Sequence, residues 1–183
     1  MNCCVITKDG SHVVTGSSDA TCKLWDYQTT ECIATYRPGL SAGDIVMDAS
    51  VLHIFLLPHT IASAAEMMIV VTKFHQAYLL TVQGKLIRSF SSGKQVGGSF
   101  TCATISPQGK YLYGAAEDGN VYIFDTSTGK LEHTLEVSDK LTKKTGSGSG
   151  SSLPMEIIGL SHHAQRNIVA TTTDDGQLVL WKP

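Results

Sequence analysis

A chain of 183 residues with 42% hydrophobic content can bury a real core, as one domain or part of one. Its net charge of −2 leaves no electrostatic footprint for nucleic acid or an anionic membrane. The five cysteines (Cys3, Cys4, Cys22, Cys32, Cys102) are an odd number for a disulfide framework and form no Cys-x-x-Cys pair, so they read as reduced thiols of an intracellular protein. No charged-then-apolar leader opens the chain, so no secretory signal is expected. The apolar runs Val51 to Leu57 and Met67 to Val71 are too short to span a bilayer. The expectation is a soluble intracellular domain without a membrane partner.

Taken in order, the chain reads as short strands separated by turn residues. Cys3 to Thr7 leads through the hairpin signal Lys8-Asp9-Gly10-Ser11 into His12 to Gly16; Thr21 to Asp26 and Glu31 to Tyr36 follow. After a polar connection, Arg37 to Ser50, the second unit reads Val51 to Leu57, Met67 to Thr72, Ala77 to Val82 and Leu86 to Ser91. Gln83-Gly84 is its hairpin turn, and Pro58 to Glu66 is taken as a loop. The third reads Phe100 to Ser106, Tyr111 to Ala116, Asn120 to Asp125 and Lys130 to Val137. The fourth has three strands, Ile157 to Ser161, Ile168 to Thr173 and Gln177 to Trp181. Strands of this length and spacing, without a helical period, predict an all-β antiparallel fold. The units run at about 1–37, 51–92, 99–137 and 156–183, with a Gly/Ser-rich, compositionally flexible insertion at 138–155.

The units are copies of one pattern. An Asp in a tight turn precedes a strand that ends in a large residue six positions later, usually followed by Asp. Asp19, Trp25 and Asp26 form the first copy; Asp118, Phe124 and Asp125 the second; Asp175 and Trp181 the third. Phe74 to Leu80 is a decayed echo. Repetition at this period marks a repeat architecture. Each turn Asp is expected to accept hydrogen bonds from nearby backbone N–H groups.

Four-stranded units with Asp turns and Trp-Asp endings resemble WD40 repeats, the blades of β-propellers. Ser17-Ser18-Asp19 through Trp25, Thr29 to Cys32, Gly84 to Lys94, Thr128 to Leu135 and Asp175 to Pro183 resemble, more narrowly, the C-terminal part of the Smu family of WD40 splicing factors. The resemblance implies an open arc of about four blades from a seven-bladed ring, the last lacking its outer strand. Gln177 to Trp181 would then be an open edge, and the isolated chain would self-associate. It also implies a nuclear, non-enzymatic scaffold of the spliceosome. Its partners would be a RED-like splicing protein and other spliceosomal proteins, with no sequence-specific nucleic acid binding. The other reading of the same repeats is a generic WD40 adaptor, such as a ubiquitin-ligase substrate receptor. No connection between units carries the His that many WD40 repeats place before their first strand, so their buried His–Ser/Thr–Asp–Trp chain is expected to be incomplete.

Chemistry-bearing clusters give way to plainer readings. His162-His163 and Cys3-Cys4 alternate across strands and point to opposite faces, so neither pair holds one ion. Asp174-Asp175 is a turn Asp beside a solvated one. No nucleophile elbow is present, and no cofactor, metal or catalytic residue is expected. Carboxylates or histidines gathered at a channel mouth would be needed for a hydrolase, and the sequence offers none. The run Arg88, Ser91 and Lys94 is basic, links two units and is taken as a partner-contact segment.

Overall fold

The computed structural model describes residues 1–38, 49–58, 65–94, 96–137 and 156–182. The predicted insertion at 138–155 lies outside them, as do most of the Pro58 to Glu66 loop and of the Arg37 to Ser50 connection. Among the described residues are fifteen strands in four antiparallel sheets. The chain divides into two compact units, Met1–Ser91 and Ser92–Pro183.

The first unit holds two four-stranded sheets. One is β1 (Cys3–Ile6), β2 (His12–Gly16), β3 (Cys22–Asp26) and β4 (Cys32–Tyr36); the other is β5 (Val51–Leu56), β6 (Met67–Thr72), β7 (Gln76–Thr81) and β8 (Leu86–Ser91). Each is a meander in which chain neighbours pair. Apolar side chains alternate onto the sheet faces, and Val14, Cys22 and Leu24 pack against Val51, Met68, Val70 and Leu80 in one core. The backbone N–H of Val51 donates to Ser17 O at 3.0 Å, so the core is flanked by main-chain pairing between the two sheets. Gly16 is small of necessity, because a Cβ there would run into the Val51 side chain.

The second unit holds β9 (Phe100–Ile105), β10 (Tyr111–Ala116), β11 (Asn120–Asp125) and β12 (Leu131–Glu136), and the three-stranded sheet β13 (Ile157–His162), β14 (Val169–Thr173) and β15 (Leu178–Trp181). Cys102, Ala115, Val121 and Ile123 meet Ile157, Val169 and Val179 in its core. Thr101 Oγ1 donates to Ile157 O at 2.6 Å across the two sheets.

The central strands β6, β7, β10 and β11 are buried on both faces, those of the first sheet less completely, whereas β4 and β12 are largely exposed. This gradient explains why β6 and β7 read as continuous apolar runs rather than alternating ones. The register slips at the same place in three sheets, at Leu24/Trp25, Leu79/Leu80 and Ile123/Phe124. Each slip is a β-bulge that turns the outer strand at the large residue closing the repeat. Leu80, in the decayed copy, therefore occupies the position of Trp25.

Candidate interaction surface

The turn aspartates are built into their own loops. Asp19 Oδ1 accepts from the Thr21 backbone N–H at 3.0 Å and from its hydroxyl at 2.6 Å. Asp175 accepts from the Thr173 hydroxyl and from the Gln177 backbone N–H at 3.3 Å. These bonds hold both carboxyls below the usual carboxylate range, the neighbouring threonine hydroxyl being the largest cause in each. Asp26 and Asp125 do the same one turn later. Asp26 Oδ1 accepts from the Gln28 and Thr29 N–H groups, both at 2.8 Å, and Asp125 Oδ1 from Ser127 and Thr128 at 2.8 and 2.9 Å. Carboxylates held ionised by their own turns cap backbone and are poor proton shuttles.

Asp118 is the most heavily used. It accepts from the Asn120 backbone N–H at 3.1 Å, the Tyr122 hydroxyl at 2.6 Å and the Lys94 ammonium at 2.8 Å. Burial works against its charged form, but these donors outweigh it and hold the carboxyl low. The Asp118 contact in turn raises Lys94. The Asp118 N–H also donates to Gly97 O at 3.0 Å, so the segment before β9 is tied to the β10–β11 turn by a main-chain bond and an ion pair.

The segment Arg88, Ser91 and Lys94 spans the boundary between the two units. Arg88 and Ser91 are three residues apart on β8 and so point to opposite faces; Arg88 lies on the side of the fully buried Phe90, and Ser91 is exposed. Lys94 belongs to the second unit, where its charge is engaged by Asp118.

Two residues that sequence reasoning missed explain the closing tryptophans. Trp25 Nε1–H donates to Thr15 Oγ1 at 2.9 Å, and Trp181 Nε1–H to Thr171 Oγ1 at 3.2 Å. Both threonines are buried, which gives each indole N–H an acceptor away from water. The missed signal was a Thr ten residues before each Trp. In the second sheet the same pair is Leu80 and Val70, both apolar. In the third it is Phe124 and Gly114, and the space is filled by Phe100. A Cβ on Gly114 would stand 2.7 Å from the Phe100 ring, which meets Phe124 edge-on at 6.3 Å.

His162 and His163 do not converge on an ion. His162 Nδ1 lies 2.8 Å from His163 O, while His163 Nδ1 accepts from the Gln165 and Arg166 N–H groups at 3.0 and 3.1 Å, organising the β13–β14 loop. Among the described residues no three metal-ligating side chains come together.

The family of the WD domain, G-beta repeat matches residues 1–26 and 84–125. Over all 183 residues the chain is 28% identical to the WD40 repeat-containing protein smu1 of Dictyostelium discoideum, and it is 27% identical over 88% of its length to Protein tipD of the same organism. It spans 30% and 31% of the length of these two relatives. Its backbone matches the Cps50 (Swd1) β-propeller domain of Myceliophteria thermophila with a TM-score of 0.73, at 16% identity, covering 100% of this chain and 50% of that one. Residues 1–26 and 84–125 therefore match WD40 repeats, the fold is that of a WD40 β-propeller fragment, and over its full length the chain is similar to the WD40 repeat-containing protein smu1.

Proposed function

We propose that this chain is part of a non-enzymatic protein-interaction scaffold acting in pre-mRNA splicing in the nucleus, with a RED-like splicing protein among its partners. The observation that carries the reading is the similarity to smu1, 28% identity extending over all 183 residues. The fold supports it physically. Within each unit, central strands such as β6, β7 and β11 are buried while turns are left for contact, and the ionised turn aspartates hold those turns in one shape.

The test is affinity capture of the tagged full-length protein followed by mass spectrometry. Spliceosomal proteins, with a RED-like protein among the most enriched, are the expected outcome. Enrichment of ubiquitin-ligase subunits instead would overturn the splicing assignment in favour of a generic WD40 adaptor.

A further inference from the structure

Within the second unit, two adjoining cavities of about 310 and 280 Å³ lie between the third and fourth sheets and share Tyr111, Tyr113 and Asn167 along their walls. Together they form a groove from the β9–β10 and β13–β14 loops to the end of β15. Lys110 and Arg166 line the first cavity and Lys182 the second, and no Asp or Glu lines either. The chain as a whole carries 16 acidic residues against 14 basic ones, so a lining with three cations and no acid is a local inversion of charge, with Asp125 and Glu132 acting on Lys110 from outside the groove.

We propose that this groove binds an extended acidic segment of a protein partner, in which carboxylates alternate with apolar side chains. Three features select that occupant. The cations are divided between the two cavities, where they meet carboxylates of the segment and raise the encounter rate. The walls between are aromatic: Tyr111, Tyr113 and Trp181 offer stiff apolar contact. Tyr113 is 4% exposed, and its hydroxyl makes no hydrogen bond to the described residues yet is not sealed from solvent, which leaves it open to a polar group of a ligand in the groove. The chain's own 138–155 segment has the wrong sign for this place, with Lys140, Lys143 and Lys144 against Asp139. A nucleic acid strand is disfavoured because three cations on a chain of net charge −2 make no continuous track for a phosphate backbone.

The groove is separate from the Arg88 to Lys94 connection and does not depend on the splicing assignment. Its test is fluorescence anisotropy of the full chain with three labelled probes: a peptide of alternating Glu and Leu, its Lys-Leu counterpart, and oligouridine. The Glu-Leu peptide should bind, more weakly as salt rises, and the Lys-Leu peptide should not. Lys110→Glu with Arg166→Glu should weaken binding by about tenfold or more, and the milder pair Lys110→Gln with Arg166→Gln by about threefold. Lys73→Glu with Lys85→Glu, the same charge change on exposed sites of the other unit, should change it by less than about twofold. Absence of Glu-Leu binding, equal losses in the groove and control pairs, or tighter oligouridine binding lost in the groove pair would each overturn the proposal.

Discussion

Thr30 sits in a conformation that its counterpart in the third sheet gives to glycine. Thr30 has φ +58° and Gly129 φ +77°; each N–H donates to the carbonyl of the Asp four residues back, at 3.0 and 2.8 Å. The two turns share the Asp26 and Asp125 side-chain caps, so they are one turn made with different residues. A Cβ in the left-handed region costs roughly 1–2 kcal/mol, and a branched side chain sits at the upper end. Glycine gives back roughly 0.4–1 kcal/mol through its freedom in the unfolded chain. Thr30 is exposed, so its removal forfeits no buried apolar area. Thr30→Gly should therefore stabilise the first unit by about 1 kcal/mol or a little less. Gly129→Thr should destabilise the second by at least as much. Urea melts read both as opposite shifts in midpoint at unchanged slope. A lower midpoint for Thr30→Gly, or a harmless Gly129→Thr, would refute the equivalence of the two turns.

Other substitutions probe the interior and the turn chemistry. Gly114→Ala should destabilise by about 1–3 kcal/mol in the same melts, because the added methyl collides with the fully buried Phe100. Asp118→Ala should cost about 1–2 kcal/mol through lost bonds to the Asn120 N–H and the Tyr122 hydroxyl, and Asp175→Ala, with its carboxylate in solvent, less. Since the folded carboxyls of Asp19, Asp118, Asp125 and Asp175 are all depressed, the unfolded chain binds more protons near their ordinary value of 3.8. Their stabilisation should be complete above that pH and fall away as acid titrates the folded forms, which melts from pH 6 down to pH 2 would show. Thiol labelling of the native chain should modify Cys4 and Cys32 quickly and spare Cys22 and Cys102. Burial pushes those two thiols up to about 12 and about 11.

Local signals made most strands legible from sequence. Asp9-Gly10 and Gln83-Gly84 mark turns whose glycines have φ +71° and +88°, and the runs between turns have only one way to bury their apolar face. Boundaries shift by a residue: β7 begins at Gln76 rather than Ala77. What sequence left hidden depends on partners distant along the chain. The Lys94–Asp118 pair spans 24 residues and gives no periodic signal. The Thr acceptors of Trp25 and Trp181 sit on a neighbouring strand, and their alternates Val70 and Gly114 share no chemistry with Thr. The charge inversion between the third and fourth sheets arises from residues drawn from two loops and a strand end, each ordinary in its own segment.

The exchange of Trp and Thr for Phe, Gly and a second Phe constrains how such repeats diverge. Gly114→Thr alone would drive a side chain into Phe100, and Phe124→Trp alone would leave an indole N–H with no acceptor at residue 114. Shrinking Phe100 first would open a void beside Phe124. Each of these steps passes through a less stable chain, so residues 100, 114 and 124 are expected to change as a linked set. The exposed positions of β12, outside that packing, can change one residue at a time.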